Sequence, residues 1–189
     1  MDRIAKLFGG ATTTRLARWF LFHPDASATG AMLRDKTKSS SDQARKGLRL
    51  LQSAGLIKKR GSGRFVLNTE FPNLPALKEF LIGELLATMS VATRMRSAGT
   101  IKMLCAAGLF IGDTESRTDL LIVGDRIKPQ ALQKVITLLE ADVGTDIRYT
   151  TLSTEEFKYR MAFNDKLIRD ILDFPHELLI DKLNLKEQE

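Results

Sequence analysis

The chain is poor in the residues that form covalent or metal cross-links. Its 189 residues include one cysteine, Cys105, and two histidines, His23 and His176. A single thiol excludes an internal disulfide, and this combination excludes a zinc site built from cysteines and histidines. Cys105 lies in the apolar run KMLCAAGLF, so we predict a buried thiol that packs as a small hydrophobic side chain.

Long apolar segments are also lacking. No run approaches the ~18 residues that a membrane-spanning helix requires. The N-terminal stretch MDRIAKLFGGATTTR has neither a long apolar region nor a small-residue cleavage site, so no secretion signal is expected. Hydrophobic residues make up 43% and charged residues 28% of the chain, as in ordinary globular proteins. We therefore predict a cytoplasmic protein with one full core or two small ones and no membrane partner.

Positive charge is concentrated in the N-terminal part of the chain. Residues 1–70 contain 14 Lys and Arg against 5 Asp and Glu, a surplus of nine positive charges, whereas residues 71–189 contain 15 against 18. Such segregation is typical of a basic module that binds phosphates, joined to a module that does not. The simpler alternative is a helix surface that is rich in Lys and Arg by chance, and a surplus confined to one small domain argues against it.

Three helices and a hairpin are predicted in this basic part. The first helix spans Thr13–Phe22 and ends at His23, because a residue that precedes proline avoids helical geometry. A short second helix covers about Gly30–Lys36, and a third covers residues 40–54. Two β-type runs, LIKKR and RFVLN, then flank Gly61-Ser62-Gly63, which predicts a hairpin over residues 56–67.

The third helix has the clearest start and end signals. Ser40, with Gln43 three residues later, predicts a capping box. Gly55 is a typical residue after a last helical turn. The apolar side chains that recur at helical spacing, and so predict the buried face, are Ala44, Leu48 and Leu51.

This order of helices and a basic hairpin over residues ~10–70 resembles the winged helix-turn-helix domains of bacterial and archaeal transcription regulators, most specifically in LLQSAGLIKKRGSGRFVL. The resemblance implies that the third helix enters the major groove of duplex DNA and that the hairpin lies along the backbone or minor groove. Gln43 suits adenine, and Arg45 or Lys46 suits guanine. The residues predicted to contact DNA are Ser41, Gln43, Arg45, Lys46 and Arg49 on the helix and Lys58, Lys59, Arg60 and Arg64 on the hairpin.

A domain boundary is predicted at NTEFPNLP, where two prolines interrupt periodic sequence. We assign residues 1–72 to the basic domain, 73–99 to a connecting helix and 100–189 to a second domain. The apolar stripe of the connecting helix comprises Leu77, Phe80, Leu81, Leu85, Met89 and Ala92. It fits a connector, part of the second core or a dimer seam. We expect a homodimer, because operator-binding winged helices are commonly two-fold symmetric.

The second domain alternates strands with helices. Strands are predicted at Ile101–Ile111, Asp119–Val123 and Asp146–Thr151, with a helix at Pro129–Glu140 after the second strand. The whole chain is therefore predicted to be α+β, with a winged helix domain followed by a small mixed sheet and its helices.

The stretch AAGLFIGDTESRTDLLIVGD resembles the opening motif of the nucleotidyltransferase family, especially its small stand-alone members. In that family, Gly-Ser and a second glycine precede Ser-Asp-x-Asp, and a third Asp follows on a later strand. The resemblance implies two Mg²⁺ ions held by the three carboxylates, and a nucleoside triphosphate held by the Gly-Ser turn.

Part of this motif is present and part is replaced. The matching positions are Gly108, Gly112, Ser116, Asp119 and Asp146. Leu109 replaces the phosphate-binding serine and Arg117 replaces the first metal-binding Asp. Because a guanidinium stays charged and pairs with carboxylates, we hypothesise that Arg117 substitutes for the metal and bridges Asp119 and Asp146. A coincidental match is the alternative, and Asp113 or Glu115 in the loop could supply a migrated carboxylate.

Three functions follow from these patterns. The first is a transcription regulator that binds duplex DNA and needs no cofactor, with a degenerate nucleotidyltransferase-like domain for effector sensing, partner binding or dimerisation. No residue is then assigned to catalysis or to a metal. The second is an active nucleotidyltransferase, one of a toxin–antitoxin pair for example, with Asp119 and Asp146 as Mg²⁺ ligands and a winged helix that regulates its own synthesis. The third is a scaffold or antitoxin-like protein that binds another protein through the cleft.

Overall fold

A computed structural model of the chain describes residues 3–83, 90–113 and 116–185. Their contacts divide the structure into two units. The first contains the described residues up to 83 together with Leu138–Asp146, and the second contains Ser90–Thr137 and the residues from Ile147 onwards. Helices and strands occur in both, which confirms a mixed α+β protein with small sheets.

The first unit is mostly helical. It consists of helices α1 (Arg3–Leu7), α2 (Ala11–Phe22), α3 (Gly30–Lys36), α4 (Ser41–Ser53) and α5 (Leu74–Gly83), and strands β1 (Ser27–Thr29), β2 (Ile57–Arg60) and β3 (Arg64–Leu67). The three helices and the hairpin predicted from the sequence are present within two residues of their expected bounds. Strand β1, which the sequence analysis missed, adds a third strand to the hairpin.

Helix α4 begins and ends as its sequence predicts. Ser40 Oγ accepts a hydrogen bond from Gln43 N at 3.3 Å, and Gln43 Oε1 accepts one from Ser40 N at 3.1 Å, so the capping box forms. Gly55 follows the last turn with φ +81°. The predicted inward residues are all buried, and Gly47 is buried beside them.

Gly47 brings α4 close to α2. A Cβ atom at this position would lie 2.8 Å from Leu16 Cδ1 and 3.2 Å from Thr13 Oγ1. A larger residue would therefore have to displace the fully buried side chain of Leu16. Because the apolar side of α4 is held against α2, its polar side faces outward.

The sheet of the first unit has the strand order β1-β3-β2, with all neighbours antiparallel. In the hairpin, Lys58 lies opposite Val66 and Lys59 opposite Phe65. Successive side chains of a strand project from opposite faces. Lys59 therefore shares a face with the buried Ile57, and Lys58 shares the other face with Arg60.

Two arginines of α2 are structural rather than surface cations. Arg18 is only 2% exposed, and it donates to Leu81 O at 2.9 Å and to Asp142 O at 3.1 Å. Arg15 donates from Nε to Asp142 Oδ1 at 2.6 Å and from Nη1 to Thr37 O at 3.1 Å. The two guanidiniums thus join α2 to α5 and to the segment Leu138–Asp146. These two members of the N-terminal positive surplus therefore bind partners inside the unit.

The second unit contains a four-stranded sheet in the order β6-β5-β4-β7. Its elements are α6 (Val91–Met95), β4 (Thr100–Ala106), β5 (Leu120–Asp125), α7 (Pro129–Val143), β6 (Tyr149–Leu152), α8 (Thr154–Ala162), α9 (Lys166–Leu172) and β7 (Glu177–Asp181), although the last turns of α7 belong to the first unit. Strand β4 is antiparallel to β5 and β7, whereas β5 and β6 are parallel. The sheet is therefore mixed.

Two predictions for this half need correction, and a third falls partly outside the described residues. The first strand ends at Ala106, and Gly108–Ile111 forms a 3₁₀ turn, because Gly108 has φ +49° and leaves the extended conformation. The third strand begins at Tyr149, so Asp146 precedes it. The connecting helix is described only as α5 and α6. Leu85 and Met89 of its predicted stripe lie outside the described residues, and the dimer seam stays a prediction.

The sheet of the second unit buries the single cysteine. Cys105 is fully buried on β4 among Met103, Leu121 and Phe157, as predicted. Burial raises the pKa of its thiol to about 12. Within the described residues, no helix is both long and apolar enough to cross a bilayer.

We expect Cys105 to be inert in the folded protein. Because the thiolate is the reactive form, a thiol with a pKa of about 12 that is also buried will not react with Ellman's reagent at pH 8. Full reaction is expected after unfolding in guanidinium chloride. Rapid stoichiometric labelling of the native protein would contradict the placement of Cys105 in this core.

We expect the substitution Gly144→Ala to destabilise the first unit by at least about 3 kcal/mol. Gly144 has φ +93°, and a Cβ there would lie 2.5 Å from the backbone nitrogen of Trp19. The matched control is Gly55→Ala, at φ +81° with no atom within 4 Å of the new Cβ, which should cost only about 1 kcal/mol. Urea denaturation checks both, and equal losses would exclude close packing at Gly144.

Candidate nucleic-acid interface and candidate metal site

The outer face of α4 carries every residue that the sequence predicts to read bases. Ser41, Gln43, Arg45, Lys46 and Arg49 are all exposed. The buried residues described above hold the opposite side of the helix against the unit, so this polar face points to solvent. An exposed helix with several hydrogen-bond donors in its first turns suits base edges in a major groove.

Gln43 is less available than its neighbours. Its side-chain oxygen is engaged by the backbone nitrogen of Ser40 in the capping box. A bidentate contact to adenine uses both the oxygen and the nitrogen of a Gln amide. Gln43 could make that contact only by leaving the cap, so its role in this structure is to cap the helix, and it is not assigned to base reading.

The hairpin separates its cations onto two faces. Lys58 Nζ lies 2.7 Å from Glu70 Oε2, and this hydrogen bond with its positive charge lowers the pKa of the Glu70 carboxyl. On the other face, Lys59 Nζ lies 5.9 Å from the centre of the Phe65 ring. The predicted cations Arg60 and Arg64 are exposed and pair opposite each other near the turn.

A groove of about 570 Å³ runs between α3, α4 and the hairpin. Four cationic side chains line it, namely Arg34, Arg45, Arg49 and Lys59, together with the ring of Phe65 and the polar side chains of Ser41 and Gln52. The sequence analysis missed Arg34 and Gln52. Arg34 lies on α3, and only the fold brings it to the cations of α4. Gln52 follows Arg45 and Arg49 at helical spacing, so the sequence alone places it on the same face of α4.

Asp119 lies at the centre of the candidate metal site and is 1% exposed. Its Oδ1 accepts hydrogen bonds from Leu109 N at 2.9 Å and from Arg148 Nη2 at 3.0 Å. Its Oδ2 accepts from Arg148 N at 2.8 Å and from Arg148 Nε at 3.1 Å. Four donors thus satisfy this buried carboxylate, and its charge is paired.

The close approach of Gly108 makes this arrangement possible. A Cβ at this position would lie 2.4 Å from Asp119 Oδ1 and 3.0 Å from the carbonyl oxygen of Thr118. Nearby, Ser116 Oγ donates to Thr118 O at 2.8 Å. Gly108 and Ser116 therefore shape the loop around Asp119. Gly112 caps the 3₁₀ turn at φ +82°, with open space around it.

The structure assigns the ionic partner of Asp119 to Arg148 and not to Arg117. The side chain of Arg117 is exposed. Asp146 is counted with the first unit, its side chain is 90% exposed, and it lies 3.9 Å from Lys36 Nζ. The predicted bridge from Arg117 to Asp119 and Asp146 is therefore wrong. Arg148 lies two residues after Asp146, and only the fold brings its side chain to Asp119.

These residues do not fit a Mg²⁺ site. A metal at Asp119 would have to displace hydrogen bonds from two backbone amides and a guanidinium, and that guanidinium would repel it. Among the described residues, no cluster of three or more His, Cys, Asp or Glu side chains is placed to hold a metal ion. Asp113 is half-buried, and Glu115 lies outside the described residues.

In comparisons of the chain with models of protein families, with curated proteins and with solved structures, nothing matches.

We expect Arg148→Ala to destabilise the second unit by about 3 kcal/mol, because it leaves a buried carboxylate without its cation. Arg117→Ala removes the same side-chain type from an exposed position in the loop before β5 and should change stability by less than about 0.5 kcal/mol. Urea denaturation compares the two variants. A larger loss for Arg117→Ala would restore the bridge that we reject.

Proposed function

We propose that this protein is a transcription regulator that binds duplex DNA through α4 and the β2–β3 hairpin of a winged helix domain. The observation that carries the proposal is the groove in which Arg34, Arg45, Arg49 and Lys59 converge from three elements beside an exposed, donor-rich helix. Cations gathered on one face supply the electrostatic part of DNA affinity. A basic protein-interaction module is the competing explanation.

The contacts divide into two kinds in this proposal. Arg45, Lys46 and Arg49 on the outer face of α4 are assigned to base edges, where an arginine pairs with guanine. Arg34 of α3 and Lys59 of the hairpin line the groove beside α4 and are assigned to phosphates, which fix the register of the helix on the duplex. Lys58 projects from the face of β2 opposite Lys59 and does not line the groove, so it is left out of the interface.

For the second unit we propose a role in effector sensing, partner binding or dimerisation on a nucleotidyltransferase-like fold without metal-dependent transfer. The observation behind this proposal is the complete engagement of Asp119 by Arg148 and two backbone amides. A carboxylate that holds a loop in this way is a structural group. This arrangement does not favour an active nucleotidyltransferase, because the oxygens of Asp119 are already bound by protein donors.

The proposal is tested by fluorescence anisotropy of the full chain on two labelled duplexes across a salt series. One duplex is the DNA immediately upstream of its own coding sequence, and the other is random. We expect affinity for both that falls steeply with salt, and tighter binding to the upstream DNA. Absence of salt-dependent binding to either duplex would overturn the DNA-binding function.

Adjacent lysines of β2 provide a matched pair of variants. Lys59→Ala should weaken binding to all sequences alike and reduce the slope of log affinity against log salt by about one, because it removes one phosphate contact. Lys58→Ala removes the same charge from the opposite face of the strand and should leave the slope unchanged. Equal reductions in both variants would show that net charge, and not the groove, drives binding.

A further inference from the structure

Helix α4 contains a single acidic residue, Asp42, on its outward face. Its carboxylate Oδ1 contacts Arg45 Nη2 one turn later in a salt bridge. Asp42 and Arg45 are 74% and 60% exposed, so the pair sits on the surface assigned above to DNA. A negative charge there opposes phosphate binding, and this cost calls for an explanation.

Helix stability accounts for little of this arrangement. Exposed ion pairs spaced three or four residues apart contribute only a few tenths of a kcal/mol. An acidic residue in a first turn also interacts favourably with the helix dipole, yet the capping box already satisfies the helix start. Neither effect requires the acid to hold the guanidinium that lines the basic groove.

We propose that Asp42 is a positioning residue that holds Arg45 in the orientation that reads a guanine. The inference rests on the proposed function. An arginine reads guanine through two parallel donors to O6 and N7, and this contact demands a fixed guanidinium plane. A free arginine side chain has many rotamers, so a neighbouring carboxylate that holds it reduces the entropy lost on binding.

The charge of Asp42 also acts on specificity. Non-specific binding is almost entirely attraction to phosphates, and an acidic group on the interface weakens it. At the cognate site, the repulsion between Asp42 and the phosphates is offset by the contact that the better-placed Arg45 makes with guanine. Removing Asp42 therefore raises affinity for random DNA and lowers the preference for the cognate site, two opposite changes that a destabilised helix would not produce.

The test begins with duplexes enriched from a randomised library by the wild-type full chain. Affinities for the enriched duplex, for its variants at each guanine and for the random pool are then measured for wild type, D42A, R45A and the D42A/R45A double variant. The matched control is D35A, which removes the acidic partner of Arg34 on α3. Asp35 holds no residue assigned to bases, so D35A should raise affinity for all duplexes alike.

We expect R45A to abolish preference at one guanine position, a loss of roughly 5- to 150-fold. D42A should lose part of the preference at that same position while binding random DNA more tightly. D42A/R45A should discriminate no worse than R45A, because Asp42 acts through Arg45.

Two results overturn the inference while leaving DNA binding intact. One is an unchanged guanine preference in D42A, and the other is a preference lost equally in D42A and D35A. If the wild-type chain enriches no sequence and binds no duplex, the proposed function fails and this inference fails with it.

Discussion

The contact between α4 and α2 at Gly47 is the constraint on which the proposed interface depends. Glycine permits this close approach, because a Cβ there would lie 2.8 Å from Leu16 Cδ1 and 3.2 Å from Thr13 Oγ1. Since α4 is held against α2 along its apolar side, its outward face is set for the full length of the helix. The groove follows from this, because Arg45 and Arg49 of α4 then meet Arg34 of α3 and Lys59 of the hairpin.

Some charged side chains of this protein form hydrogen bonds and ion pairs within a unit, and others face solvent. Composition alone does not distinguish the two groups. Arg18 and Arg15 are counted in the N-terminal surplus, yet they bind Leu81 O, Asp142 and Thr37 O inside the first unit. In the second unit, Arg148 neutralises Asp119 beside Gly108. All four hydrogen bonds to this buried carboxylate come from protein donors, so Asp119 has a structural role.

Local signals predicted local structure well. Ser40 with Gln43, Gly55 and the Gly61-Ser62-Gly63 turn set the bounds of α4 and the hairpin, since capping and turn chemistry act over a few residues. The errors arose where partners are distant in sequence. Only tertiary packing brings Arg34 of α3 to the groove. The same is true of Arg148, which pairs with Asp119 where Arg117 was predicted to do so. It is also true of Asp142, which binds two arginines of α2. Periodicity also predicted one strand through Gly108, where a close approach to Asp119 requires a turn instead.

The most direct test of the central claim is amide hydrogen exchange of the full chain, measured by mass spectrometry with and without saturating random duplex at low salt. We predict slower exchange in residues 41–53 and 57–67 when DNA is present, because α4 and the hairpin form the interface. Strands β4 and β5 should exchange at unchanged rates. Protection confined to the second unit, or no protection at all, would contradict the account.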